Sequence, residues 1–70
     1  MANKKALVVL VEGFEEAEAV IPVDILRRSE VEVVIAGVDD DIVEGAHGIA
    51  VKTDILLKDY KEMPDAIVLP

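Results

Sequence analysis

The 70-residue sequence contains no cysteine and only one histidine, His47. Without cysteine the chain can form no disulfide and supplies no catalytic thiol. A single histidine also predicts neither one of the usual zinc clusters nor a serine–histidine catalytic system within these residues. Basic residues are scarce too, since seven stand against fifteen acidic ones for a net charge of −8. This charge argues against a broad nucleic-acid-binding face.

Long hydrophobic runs are also absent, although 53% of the residues are apolar. The longest runs, 6–11 and 66–69, are far shorter than the ~20 residues of a membrane-spanning helix. The N-terminal segment makes a poor signal peptide, so we expect a cytoplasmic location and no membrane contact. A domain of ~60 residues buries only roughly 60% of the surface that its unfolded chain exposes. The apolar content therefore exceeds what so short a chain can hide.

The order of apolar and polar segments predicts an α/β fold with a mostly parallel sheet and its first strand in the interior. The three main strands are apolar without alternation, which is typical of strands covered on both faces. The predicted elements are strands at 6–11, 31–36 and 66–69, a helix at 15–29, a hairpin formed by 42–43 and 49–51, and a helical turn at 58–62.

One long helix is too little to cover such a sheet on both faces, and the last strand is followed by no helix that would pack on it. We therefore expect residues 1–70 to be the N-terminal portion of a single larger domain. No repeat, linker or low-complexity segment indicates a second domain.

The predicted helix carries apolar side chains around its whole circumference, at ~100° per residue. Such a helix is expected to be buried on more than one side. The second side could contact the same helix of another subunit or the remainder of the domain, and both alternatives stay open. Pro22 predicts either a kink at Glu18 or a helix that restarts with Pro22 in its first turn.

Glu18 is the most informative polar residue of this helix. Its neighbours along the helix include Ile21, Pro22 and Ile25 on one side and Glu15 on the other. Desolvation and a nearby like charge both favour a protonated carboxyl group. The helix also begins at the carboxyl end of the first strand, where open α/β sheets bind ligands. Glu18 is therefore a candidate site residue, although spacing alone makes an exposed helical glutamate the commoner outcome.

The other charged residues near the helix are predicted to have simpler roles. Glu12, Glu15 and Glu16 are expected to be solvated or to complement the helix dipole. Asp24 can pair with Arg27 or Arg28 near the helix end. His47 is predicted to lie in a loop without a metal role, because no other ligand is predicted beside it. The single glycine of the turn at 12–16 and its negative charge disfavour a phosphate site.

Residues 6–28, 31–37 and 65–70 closely resemble the ThiJ/PfpI superfamily, in its branch around the Parkinson-disease protein DJ-one. The most specific part is the Glu-Glu-x-Glu segment at 15–18, followed by Ile-Pro-Val-Asp at 21–24 and Arg-Arg at 27–28. The resemblance implies a flavodoxin-like (class I glutamine amidotransferase-like) sandwich and a homodimer formed partly through the first helix. The residues that it implies at the interface or in support of the site are Glu15, Ala17, Asp24 and Arg28.

The resemblance further implies an active site that pairs a reactive cysteine with Glu18, without cofactor or metal. Members of this branch act as glyoxalases or protein deglycases on methylglyoxal or its adducts, a small carbonyl substrate. The alternative on the same scaffold is a non-enzymatic redox sensor or chaperone-like stress protein, and a third possibility is an interaction module without a site. The family's cysteine, however, belongs to the part of the pattern after Pro70. Gly45 and Ala46 also stand where many relatives have a secondary cysteine, and Glu44 and His47 alter the surroundings of Arg28.

Overall fold

A computed structural model describes residues 3–70 of the chain. Its elements follow the predicted order, and the bounds of the predicted strands and of the long helix differ by at most one residue, whereas the helical turn ends three residues earlier than predicted. They are strands β1 (Lys5–Leu10), β2 (Glu32–Gly37), β3 (Ile42–Glu44), β4 (Ala50–Lys52), β5 (Ile55–Leu56) and β6 (Ala66–Val68), helix α1 (Glu16–Arg28) and a 3-10 helix (Leu57–Asp59).

Four of these strands form one parallel sheet in the order β5-β2-β1-β6. The predicted α/β fold and the interior position of β1 are thereby confirmed. The two-residue strand β5 was not predicted, because so short an apolar segment gives no periodic signal. The helical turn lies slightly earlier than predicted and is a single 3-10 turn.

The core lies between α1 and one face of the sheet. Val8 and Leu10 of β1 are almost completely buried there and pack in one cluster with Ala19 and Val23 of α1. Alternate residues of a strand point to opposite faces, so Leu7 and Val9 lie on the other face of the sheet. Within residues 3–70 no second helix long enough to cover that face is present.

Helix α1 is one uninterrupted helix in which Pro22 lies in the interior. The alternative that the helix restarts at Pro22 is therefore wrong. The helix ends in a Schellman motif, in which Glu30 N–H donates to Arg27 O at 3.1 Å and Val31 N–H to Leu26 O at 3.0 Å. Glu30 occupies the left-handed position of this motif, with φ of 65°. No helix within residues 3–70 has the length and apolar content needed to cross a membrane.

Strands β3 and β4 form the predicted antiparallel hairpin, in which Val43 pairs with Val51. The hairpin returns to the segment that precedes α1. Gly13 N–H donates to Glu44 O at 2.9 Å, and Ala46 N–H donates to Phe14 O at 2.8 Å. The loop at 45–49 is therefore held against the first turn of α1.

Candidate functional site

Glu16, the first residue of α1, lies buried under the loop of the β3–β4 hairpin, with 6% of its surface exposed. Its Oε2 accepts the backbone N–H groups of His47 at 2.7 Å and Ile49 at 3.2 Å. Its Oε1 lies 2.9 Å from Nδ1 of His47. Of the two expected roles, solvation is wrong, because the hairpin loop encloses the side chain, whereas its place in the first turn of α1 agrees with complementing the helix dipole.

Gly45 makes room for this carboxylate. A Cβ atom at Gly45 would lie 2.5 Å from both Cδ and Oε2 of Glu16, closer than two such atoms can approach. A side chain at position 45 would therefore displace the Glu16 carboxylate or the loop from the arrangement seen here, a limit set by the buried side chain opposite and not by backbone torsion.

The hydrogen bonds decide the charge of Glu16. Burial by itself raises the pKa of this carboxyl group, because desolvation disfavours the charged form. The His47 side chain and the backbone N–H groups of Glu16, His47 and Ile49 outweigh that effect and lower the pKa to about 2. The bond to Glu16, together with the charges of Glu15 and Glu16, raises the pKa of His47. Glu16 is thus a permanent carboxylate at neutral pH and accepts hydrogen bonds rather than protons.

Glu15 extends this arrangement into a cluster of three titratable groups. Its Oε1 lies 3.8 Å from Nδ1 of His47, and the ligand atoms of Glu15, Glu16 and His47 all lie within 4.8 Å of one another. His47 does lie in a loop, as predicted. The expectation that no other ligand lies beside it is wrong, because the hairpin brings it to two glutamates that are distant in sequence.

Glu18 lies on the outer side of α1, and both Glu18 and Ala17 are exposed. Ala17 lines a shallow depression that contains the Glu16–His47 cluster as well as apolar residues; its other lining residues are Glu15, Glu16, Val20, Ile21, His47 and Ile49. Within residues 3–70 Glu18 is therefore accessible to a ligand rather than enclosed among apolar side chains. The expectation that the Glu18 carboxyl group is protonated was made for the complete domain, and it stays a prediction.

Asp24 and Arg28 form the predicted salt bridge, with Arg28 Nη1 at 3.7 Å from Asp24 Oδ2. Arg27 takes a different partner. Its Nη2 donates to Asp54 Oδ2 and to Val33 O, both at 3.3 Å, while Asp54 also accepts Ile35 N–H at 2.8 Å. Asp54 thereby joins the end of α1 to β2, a role that the sequence analysis missed.

The position of Glu16 could have been found from helical spacing. Glu16, Ala19 and Val23 follow one another at three and four residues, so they share one side of the helix. The two apolar members of this set identify the buried side. The cover over Glu16 could not have been found in this way, because it comes from a loop 31 residues further along the chain.

The parallel sheet, with polar side chains placed where β1 ends and α1 begins, defines a flavodoxin-like α/β domain. The model of the DJ-1/PfpI family matches residues 4–70, and the chain belongs to that family.

Three similar proteins illustrate the relationship. The Parkinson disease protein 7 homolog of Danio rerio is 41% identical and is matched over 100% of this chain and 39% of its own length. The glutathione-independent glyoxalase DJR-1.2 of Caenorhabditis elegans is 37% identical, over 99% of this chain and 38% of its own. The crystal structure of Drosophila melanogaster DJ-1beta superposes with a TM-score of 0.94 at 34% identity, over 99% of this chain and 38% of that one. The chain thus spans less than two fifths of these relatives.

Proposed function

We propose that this chain is the N-terminal portion of a homodimeric, cysteine-dependent glyoxalase or protein deglycase that acts on methylglyoxal or its adducts and serves in oxidative stress. Membership of the DJ-1/PfpI family supports this proposal, together with the relative named as a glutathione-independent glyoxalase. The nucleophilic cysteine is contributed by residues outside the present sequence, which contains none.

The incomplete cover of the sheet supports the proposal of a larger domain. On the face opposite α1 no helix within residues 3–70 covers the sheet, and there Ile67 of β6 is 58% exposed, although Leu7 of β1 is buried. A parallel sheet is normally covered on both faces. The sequence of the complete transcript tests this directly. A continuation with a Gly-Gly pair and a cysteine about thirty residues further on, the spacing that the resemblance implies, is the expected result, whereas a stop codon after Pro70 would contradict it.

Glu18 is the residue of this chain proposed to take part in the chemistry. It is exposed in the first turn of α1, which begins just beyond the carboxyl end of strand β1. The proposed reaction begins when the cysteine thiolate adds to the aldehyde carbon of the substrate. The carbonyl electron pair moves to oxygen, which takes a proton from the Glu18 carboxyl group to give a hemithioacetal. The Glu18 carboxylate then removes the proton from the former aldehyde carbon and returns it to the neighbouring carbon, which gives a thioester that water hydrolyses to lactate and the free thiol.

The test is methylglyoxal consumption by the complete protein and its Glu18→Gln variant. Loss of general acid–base catalysis is expected to lower kcat by roughly 10²-fold or more. Glu32→Gln serves as the matched control, because Glu32 is likewise an exposed glutamate but lies at the start of β2. Equal turnover by wild type and Glu18→Gln would contradict the proposed role of Glu18. If both were inactive, the sensor or chaperone alternative would replace it.

The outer side of α1 supports the proposed homodimer. Val20, Ile21 and Ile25 are each more than half exposed, and they form an apolar surface with Ala17. Apolar surface of this kind on a helix is stabilised by a partner. Sedimentation of the complete protein is expected to show a dimer that Ile21→Asp dissociates. Met63→Asp is the control, since Met63 is an exposed apolar residue in a distant loop. A monomeric wild type, or a dimer that Ile21→Asp leaves intact, would contradict this interface.

A further inference from the structure

Three potential metal ligands converge where the hairpin loop meets the first turn of α1. Nδ1 of His47 lies 2.9 Å from Oε1 of Glu16 and 3.8 Å from Oε1 of Glu15. In a tetrahedral zinc site with bonds of about 2.1 Å, the ligand atoms lie roughly 3.4 Å apart. The two distances from Nδ1 lie on either side of this value, and all three ligand atoms lie within 4.8 Å of one another, so small movements of the exposed Glu15 and His47 side chains would bring them round one ion.

The two oxygens of Glu16 have different partners. Oε2 accepts the backbone N–H groups of His47 and Ile49, which fix the orientation of the carboxylate as outer-shell donors do in metal sites. Oε1 has only the His47 ring nitrogen as its partner among residues 3–70. An ion between Oε1 and Nδ1 would replace a single shared proton and leave both backbone bonds in place.

The surroundings also admit a cation. Within residues 3–70 the side chains of His47 and Glu15 are 69% and 43% exposed, which leaves room for an ion and for water ligands. The site borders the apolar surface proposed to contact a second subunit, since Ala17, Val20 and Ile21 line the same depression. Among residues 3–70 no lysine or arginine forms a salt bridge with Glu15 or Glu16. The positive end of the helix dipole, about half a charge, opposes a cation here. The two negative charges of Glu15 and Glu16 together exceed this half charge.

We propose that Glu15, Glu16 and His47 form a binding site for a divalent transition metal ion of the zinc class. The imidazole nitrogen selects zinc and related ions over magnesium and calcium, which prefer sites made entirely of oxygen ligands. The site is separate from Glu18, which lies on the other side of α1. It does not depend on the proposed enzymatic function.

The test is titration of the complete protein with zinc sulfate, followed by NMR of the His47 ring nitrogens and by calorimetry. Zinc is expected to shift the Nδ1 resonance of His47 at one equivalent. Glu15→Gln is expected to weaken this binding about 10-fold or more, since it removes one charged ligand. The Glu15 side chain makes no hydrogen bond that holds the fold among residues 3–70, so this variant tests the ligand without unfolding the chain.

His47→Asn is the second variant and removes the ring nitrogen. Glu12→Gln is the matched control, because it removes a nearby exposed carboxylate that belongs neither to the cluster nor to the proposed catalytic site. Zinc binding that persists in Glu12→Gln and is lost in His47→Asn would support the site. An unshifted His47 resonance, or binding that survives in both Glu15→Gln and His47→Asn, would overturn it.

Discussion

Helix α1 has two sides that carry similar residues and lie in different environments. Its inner side contains Glu16, Ala19 and Val23, which are buried against the sheet and the hairpin. Its outer side contains Glu18, Ile21 and Ile25, which are exposed among residues 3–70. Each side therefore combines a glutamate with apolar residues.

The difference shows that residue type does not decide what a side of this helix does. On the inner side the hydrogen bonds from the hairpin fix the charge of Glu16 and make it a structural group. On the outer side no such donors are present within residues 3–70, and Glu18 remains available for other interactions. The following predictions test this contrast in the complete protein.

The largest expected effect comes from the core beneath the inner side. Leu10→Ala removes a buried side chain that packs under α1 and is expected to lower the free energy of unfolding by about 2–5 kcal/mol. Urea unfolding at two protein concentrations should show the same loss at both. Ile21→Ala, on the outer side, is expected to show a loss that depends on protein concentration, since its surface is proposed to be buried between subunits. A loss from Ile21→Ala that is equally large at both concentrations would break the contrast.

A smaller effect is expected where the hairpin closes over Glu16. In Gly45→Ala the new methyl group would overlap the Glu16 carboxylate, so the loop or the side chain must move. Overpacking of this kind costs about 1–3 kcal/mol. Thermal unfolding measures it, and Gly48→Ala is a control in which the added Cβ atom meets nothing closer than 4.0 Å, although its φ of 83° carries a backbone cost of its own. A fully stable Gly45→Ala protein would show that the Glu16 contact is not tight.

The next expected effect is a pH dependence, measured with a chelator present so that only protons titrate the cluster. The pKa of Glu16 is lowered from 4.5 to about 2, so its contribution to stability is present above pH 4.5 and is lost as the pH falls towards 2. The pKa of His47 is raised from 6.5, so its contribution is present below pH 6.5 and is lost as the pH rises through the higher value of the folded state. The pair therefore stabilises the fold most between pH 4.5 and 6.5.

Variants separate the loss of stability at low pH (the acid limb) from the loss of stability at high pH (the alkaline limb). Glu16→Gln is expected to remove the acid limb and to reduce the alkaline limb, because the charge of Glu15 still raises the pKa of His47. His47→Asn is expected to remove the alkaline limb and to leave much of the acid limb, because the backbone N–H groups still bind Glu16. Unfolding curves recorded across this range measure the effect, and an unchanged profile in Glu16→Gln would contradict the assignment.

The smallest effect is expected on the outer side, at the exposed pair of Asp24 and Arg28. An exposed pair at this spacing contributes about 0.3–0.5 kcal/mol, and salt weakens it further. A double-mutant cycle with Asp24→Asn and Arg28→Gln measures the coupling. A value well above this range would mean that the pair is buried in the complete protein, as it would be if it lay at the proposed interface.

The sequence predicted the main elements because their signals are local. The unbroken apolar runs of β1 and β2 and the helix formers of α1 are visible in single segments of the chain. The paired glycines around His47 and the flanking apolar residues likewise indicated the hairpin. Strand β5 was not predicted because two residues carry no periodicity. The contacts of Asp54 with Arg27 and Ile35 were not predicted because both partners are remote in sequence.

The candidate site was predicted less completely than the fold. The pairing of Asp24 with Arg28 follows from helical spacing and is confirmed. The burial of Glu16 and its contact with His47 required knowledge of where the hairpin lies. The two residues are separated by 31 positions, and nothing local to either one indicates the other.

The sequence by itself determined the strand and helix segments, the acidic charge and the family resemblance, because each depends on residues that are neighbours in the chain. Only the tertiary structure decided which side of α1 is buried and which of its glutamates is held as a carboxylate. The physical reason is that burial and hydrogen bonding depend on the surface that packs against a residue. For Glu16 that surface is the hairpin loop around Gly45 and His47, and for Glu18 no part of residues 3–70 provides one.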